Sequence, residues 1–178
     1  MDFTEKKLSS ETYFEGRIFR LHVDKVLLPN GKEATREVAD HPGGVAILAL
    51  DDRDNVLAVN QYRYVFGRVT QELPAGKMEP GEEPAVTALR ELKEETGAVP
   101  DTILPLGAIL PSPGCFGEVL HMFLAQGLHM ESQQPDEDEF LSVERVPFDE
   151  MVHRVMAGEI QDAKTVAAVL KAKVLLNR

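Results

Sequence analysis

Gly76-Lys77-Met78-Glu79-Pro80-Gly81-Glu82-Glu83-Pro84-Ala85-Val86-Thr87-Ala88-Leu89-Arg90-Glu91-Leu92-Lys93-Glu94-Glu95-Thr96-Gly97-Ala98 places three carboxylates, Glu91, Glu94 and Glu95, in less than two helical turns. Their i,i+3 and i,i+4 spacing sets them on one helix face. Like charges so spaced repel by a few tenths of a kcal/mol per pair, so the helix is disfavoured by itself. A divalent cation reverses the sign, because hard ions such as magnesium prefer clustered carboxylate oxygens. The cluster reads as a metal site.

The alternative is a solvated acidic face, the usual fate of charge runs on helices. Two details weigh against it. Pro84 suits the first turn of a helix and Gly97 its C-terminal end, which bounds a helix of about three turns. Within it Ala85, Ala88, Leu89 and Leu92 recur at i, i+3, i+4 and i+7, predicting one core-facing stripe. The acids flank that stripe and are expected at the rim of the packed surface, where they are costly without counter-charge.

These residues resemble the signature of the Nudix hydrolases: Gly76, five residues, Glu82, seven residues, Arg90-Glu91-Leu92, one residue, Glu94-Glu95, one residue, Gly97. Every charged and glycine position fits. Ala98 departs from it, standing where the family usually has a larger aliphatic residue; this concerns packing and leaves the chemistry untouched. The resemblance implies a hydrolase that cuts a nucleoside diphosphate linked to another moiety, using magnesium or manganese. It also implies the family fold, an α/β/α sandwich with a mixed sheet.

Composition is consistent with that reading. A chain of 178 residues, 43% hydrophobic, is long enough to bury a core and is not disordered in character. No apolar run reaches the length of a membrane span, and Met1–Ser10 lacks a signal-peptide apolar stretch, so no membrane role and a cytoplasmic location are expected. The single cysteine, Cys115, excludes an intramolecular disulfide. A net charge of −11 opposes nucleic-acid binding, which needs Lys and Arg to displace counterions. A small anionic ligand remains open, provided metal and a few arginines offset the field locally.

Along the chain, Phe19–Leu28 and Glu33–Ala39 read as an N-terminal antiparallel strand pair around a turn at Pro29-Asn30-Gly31. Strands are expected at Val45–Leu50, Val56–Tyr62, Ile103–Leu110, Val119–Leu128 and Phe140–Val146, and amphipathic helices at Phe148–Ala157 and Thr165–Leu176, the second introduced by Asp162. Strands and helices mixed in this order suggest a sheet packed between helices. The expected division is an N-terminal strand region over 1–40, for dimerisation and substrate contact, and a hydrolase domain over 41–178. Tyr13, Phe14 and Phe19 are expected in core packing, with adenine stacking as the other use.

Outside the signature, the chain is similar to ADP-ribose pyrophosphatases. The similarity rests on Glu72-Leu73-Pro74-Ala75-Gly76, on Pro113 sixteen residues beyond Gly97, and on Arg36-Glu37-Val38, His41-Pro42-Gly43, Gln61-Tyr62-Arg63, Asp136-Glu137-Asp138-Glu139 and Asp162-Ala163-Lys164-Thr165. Gly117 stands where an acidic residue is common, leaving Glu118 as the carboxylate there. Glu91 and Glu95 are the expected metal ligands, with Glu94 beside them as a further ligand or water-holder. The resemblance adds the Ala75 carbonyl, makes Glu137 the general base on a loop that closes over the site, and makes Glu139 an additional ligand. For an acidic loop, a plain surface segment is the competing reading. Arg90 and Glu82 are expected to brace the loop, and Gly76 and Gly97 to shape it.

Arg63 is expected at a substrate phosphate, which a guanidinium meets with a bidentate fork. Arg36 and Glu37 resemble positions that reach the partner subunit's substrate in dimeric members; for Arg36 an exposed strand residue is an equal alternative. Gly114 and Glu118 are expected to border the terminal ribose. His41 and Cys115 read as loop residues, since nothing pairs the thiol with a base. The function expected is metal-dependent hydrolysis of ADP-ribose to AMP and ribose 5-phosphate by a homodimer. Another nucleoside diphosphate sugar such as GDP-mannose is the rival substrate. A non-catalytic nucleotide-sugar sensor is the rival class, although sensors of that kind usually lose signature acids and this chain keeps Glu91, Glu94 and Glu95. A purely structural reading, in which the acids only solubilise the surface, predicts no metal dependence.

Overall fold

A computed structural model describes residues 2–135 and 139–178. The first sheet is antiparallel, in the order β1 (Lys6–Glu15), β2 (Arg20–Leu27), β3 (Glu33–Asp40). The turn between β2 and β3 uses Gly31 at φ 81°, a left-handed conformation that costs glycine little. Leu110–Val119 belongs to the same unit. Its backbone is laced to the end of β3, with Ala39 N–H donating to the Cys115 carbonyl and Gly117 N–H to the Ala39 carbonyl, both at 2.8 Å.

β1 is a third strand where the sequence pattern predicted two. All ten of its residues are exposed, so it offers no apolar alternation for a period-two reading to detect. Tyr13, Phe14 and Phe19, expected in a core, are also exposed. Phe14 and Phe19 instead pair with each other, ring centroids 5.6 Å apart. The buried face of this sheet is partly polar: His22 Nδ1 lies 2.8 Å from Asp24 Oδ1 and 3.2 Å from Ser10 Oγ.

The second unit comprises Gly44–Ile109 and Leu120–Arg178. Its strands are β4 (Gly44–Leu50), β5 (Asn55–Arg63), β6 (Arg68–Glu72), β7 (Ala75–Lys77), β8 (Ala98–Ile109), β9 (Leu120–Met130) and β10 (Leu141–Pro147). Its helices are α1 (Pro84–Thr96), α2 (Phe148–Met156) and α3 (Ala163–Leu175). One sheet runs β10-β5-β4-β9-β8, with β6 added to β5 and β7 to β4. The β4–β9 pair is parallel and the other pairs are antiparallel, so the sheet is mixed.

β4 explains the layering. Every residue is buried, and successive side chains point to opposite faces. Val45, Ile47 and Ala49 pack with Ala88 and Leu92 of α1, while Ala46, Leu48 and Leu50 pack with Phe148 and Met151 of α2 and Ala168 and Val169 of α3. A central strand covered on both faces must be apolar throughout, as Val45–Leu50 is. The unit is therefore the α/β/α sandwich expected. β6 and β7 give no strand pattern in the sequence, because one is mostly polar and the other spans three residues. Among the described residues, no helix is long and apolar enough to cross a membrane.

The buried face of α1 differs from the predicted stripe. Leu89 is 39% exposed, and the buried residues are Thr87, Ala88, Glu91, Leu92, Glu95 and Thr96. Two of the three acids therefore lie beneath the packed face and not at its rim. The helix ends at Gly97, whose φ of 72° continues the chain directly into β8. A side chain there would overlap the Glu131 carbonyl oxygen. Gly97→Ala should destabilise the protein by about 2 kcal/mol or more, from left-handed strain plus the clash, as read by denaturant unfolding. An unchanged unfolding midpoint would contradict this account of the helix end.

Candidate active site

Glu91 and Glu95 project from α1 onto the Ala75-Gly76 backbone of β7. Ala75 N–H donates to Glu95 Oε2 at 3.0 Å. Gly76 has no side chain for a steric reason: a Cβ there would overlap the Glu91 carboxylate. The glycine of the loop and the acid of the helix thus occupy complementary space, fifteen positions apart in sequence.

Burial pushes the Glu95 carboxyl up to about 8; the Ala75 N–H opposes the shift, while the charges of Glu91 and Glu139 add to it. Glu91 is raised too, by burial first, partly offset by Arg90 and reinforced by Glu94 and Glu139. The site is short of positive charge. Glu139, nearly fifty residues beyond Glu91, bears electrostatically on both helix acids.

Arg90 supplies a cation on the Glu91 side of the pair. Its Nε and Nη2 donate to Glu82 at 3.1 Å each, and its Nη1 donates to Glu91 at 2.8 Å and Glu94 at 3.0 Å. The Arg90 fork holds Glu82 down to about 2, and Glu82 in return raises Arg90. Glu82 also accepts the Glu79 N–H at 3.2 Å, so the turn before the helix closes on itself.

Residues 131–134 carry no motif in the sequence, yet they stitch the chain to the end of α1. Glu131 N–H donates to the Gly97 carbonyl at 2.7 Å, Gln134 N–H to the Glu94 carbonyl at 3.0 Å, and Gln133 Nε2 to the Glu95 carbonyl at 2.6 Å. Glu137 lies outside the described residues.

The NUDIX domain profile matches residues 40–169, most of the chain. The chain belongs to the Nudix hydrolase family. A second profile, the nucleoside diphosphate sugar hydrolase N-terminal domain, matches residues 5–39. The chain is 43% identical to the ADP-ribose pyrophosphatase of Bacillus subtilis (strain 168), covering 93% of this chain and 90% of that protein. It is 41% identical to the methanol dehydrogenase activator of Bacillus methanolicus, covering 94% and 91%. A crystal structure of an ADP compounds hydrolase, 24% identical, has the same fold with a TM-score of 0.87 over 99% of this chain and 97% of that one.

Nudix hydrolases generally use a divalent metal, and the residues here fit one. The donors are hard oxygens, two carboxylates are buried with their protons held too tightly, and Gly76 leaves the backbone open beside them. Among the described residues no three His, Cys, Asp or Glu side chains are gathered as a cage, and Arg90 holds Glu91 and Glu94 from one side. Glu91, Glu95 and a backbone oxygen would be the holding set.

The other expected residues are spread over both units. Arg63, on β5, forks onto Glu72 through Nε at 2.8 Å and Nη2 at 2.7 Å, and Glu95 bears on it electrostatically. Lys164 ion-pairs with the same Glu72 and, at 2.9 Å, with Asp162. In the first unit, Arg36 pairs with Glu5, Nε to Oε2 at 2.9 Å, and Glu37 stands opposite Val23 on β2. Gly114 is exposed in the 110–119 segment, and Glu118 Oε1 lies 3.6 Å from His41 Nδ1.

This geometry has two measurable consequences. Gly76→Ala should displace the Glu91 carboxylate and weaken divalent-ion affinity about tenfold or more, measured by manganese titration; unchanged affinity would contradict the close-packing account. The second concerns pH. An ordinary glutamate releases its proton near 4.5, whereas folded Glu95 keeps it up to about 8. Between those values the folded state binds more protons than the unfolded, so the stability of metal-free protein falls as pH rises through that window. Excess magnesium should recover the loss at about pH 8. Thermal unfolding with and without the ion checks this, and a midpoint that rises with pH over that window in metal-free protein would contradict it.

Proposed function

We propose that this protein hydrolyses ADP-ribose to AMP and ribose 5-phosphate, with magnesium as the working ion and manganese as a substitute. The observation that carries the reading is the buried Glu91–Glu95 pair against Ala75-Gly76, two carboxylates on the signature helix that are short of positive charge. The likeness to an ADP-ribose pyrophosphatase over most of the chain supports the substrate.

In this reading Glu91, Glu95 and the Ala75 carbonyl would hold the cation, with Glu139 as an additional ligand. When bound, the cation neutralises the diphosphate and makes a water more acidic. Glu94 orients the attacking water, and Glu137 takes its proton as the water oxygen attacks one phosphorus. The bond from that phosphorus to the bridging oxygen breaks, and the bridging oxygen leaves with the other phosphate. Arg63 meets the phosphate through Nη1, the edge of its guanidinium that Glu72 does not engage. Arg36 and Glu37 contact the substrate of the partner subunit in a homodimer formed through residues 1–40, and Gly114 and Glu118 border the terminal ribose. Gly76, Glu82, Arg90 and Gly97 shape the helix and its loop. The protein acts on a small nucleotide in the cytoplasm.

A regulatory role is the second reading, favoured by the likeness to a methanol dehydrogenase activator. Product release from ADP-ribose, GDP-mannose and NADH, with magnesium and with excess chelator, separates the two. AMP and ribose 5-phosphate should form only with metal and fastest from ADP-ribose, and Glu95→Gln should lower kcat by about a hundredfold or more while leaving the fold intact. Full activity in Glu95→Gln would refute the metal assignment, and binding without turnover in the wild type would favour regulation.

A further inference from the structure

A second charge network lies in the same unit. Glu72 is 3% exposed and receives the Arg63 fork, the Thr70 hydroxyl at 2.6 Å and the Lys164 ammonium. Lys164 is itself buried and also pairs with Asp162, the residue that caps α3 through Thr165 N–H at 3.0 Å. The Thr165 hydroxyl donates to Asp162 at 2.6 Å and accepts the Leu73 N–H at 2.9 Å. The first turn of α3 thus grips residues 72 and 73, immediately before the Pro74-Ala75 backbone that meets Glu95.

Charges in this network balance in pairs: Arg63 and Lys164 against Glu72 and Asp162. Stability alone gives little reason for such an arrangement, since buried ion pairs are commonly no better than apolar residues of the same volume. What it does accomplish is geometric. Glu72 engages Nε and Nη2 of Arg63 and fixes the plane of the guanidinium, and among the described residues Nη1 makes no hydrogen bond. Arg63, Glu72 and Lys164 together line a cavity of about 640 Å³. Without the Lys164 charge, Glu72 and Asp162 would face Arg63 with one negative charge in excess, which draws the arginine inward and repels an anionic substrate.

We propose that Lys164 is a positioning residue for substrate binding: by neutralising Glu72 and Asp162 it leaves the Arg63 guanidinium aimed at, and electrostatically available to, the diphosphate. This deepens the reading of the site as an ADP-ribose hydrolase and rests on it. The test is a double-mutant cycle between Lys164→Met and Arg63→Met, with both turnover of ADP-ribose and its dissociation constant measured by calorimetry. Lys164→Met alone should raise KM and the dissociation constant about tenfold with a smaller change in kcat, and should change neither further in the Arg63→Met background. Equal losses in both backgrounds would mean that Lys164 is merely structural and would overturn the proposal. Should Lys164→Met not fold, Lys164→Gln, which removes the charge and keeps a polar side chain, is read in the same cycle against Arg63→Met and must show the same non-additivity. Binding without hydrolysis in the wild type would sink the proposed reaction and leave the cycle to be judged on affinity; no binding in the wild type would overturn both.

Discussion

Two carboxylates are buried against a backbone that can offer them little. Desolvating an ionised glutamate costs several kcal/mol unless it is paired, and among the described residues one carboxylate accepts a backbone N–H and the other one edge of an arginine. The protein answers by holding their protons more tightly, and a divalent cation would answer by replacing them. Much of the second unit can be understood as support for that arrangement. Gly76 makes the close approach possible, the Arg90–Glu82 pair fastens the turn before α1, and the backbone bonds of residues 131–134 tie the chain beyond β9 to the end of that helix.

Charge placement gives the site its polarity. Arg90 stands on the side of Glu91 and Glu94, facing the loop, where it braces more than it binds. Arg63 and Lys164 stand on the Glu95 side and meet it only through the field, because Glu72 and Asp162 hold them. Against the upward push of its burial, the Arg63 fork and the Lys164 ammonium bring Glu72 down to about 2, so the acid stays ionised in any ordinary buffer. In a chain of net charge −11, an anionic substrate needs such local cations held in fixed directions.

The layering and the acidic helix were legible because they rest on strong local signals. Val45–Leu50 is an unbroken apolar run, and Pro84 and Gly97 punctuate α1 as a proline and a left-handed glycine should. What was not legible depends on contacts distant in sequence. Leu89 fits a helical stripe, yet α1 turns its Glu91 and Glu95 inward because Gly76, in another strand, clears the space. β1 has no buried face and so no alternation to read, and its aromatics were misplaced for the same reason. Gln133 and Lys164 carry no local signature of their roles; only the fold brings one to the Glu95 carbonyl and the other to Glu72.

Proton release on metal binding tests the central claim most directly. Calorimetric titration of manganese into the protein near pH 7, in two buffers of different ionisation enthalpy, reports the protons released per ion. About one proton should leave per ion bound, and the release should be lost in Glu95→Gln, whose amide has no proton to give up. Metal binding of undiminished affinity with no proton release, unchanged in Glu95→Gln, would show that the buried pair is not where the cation sits.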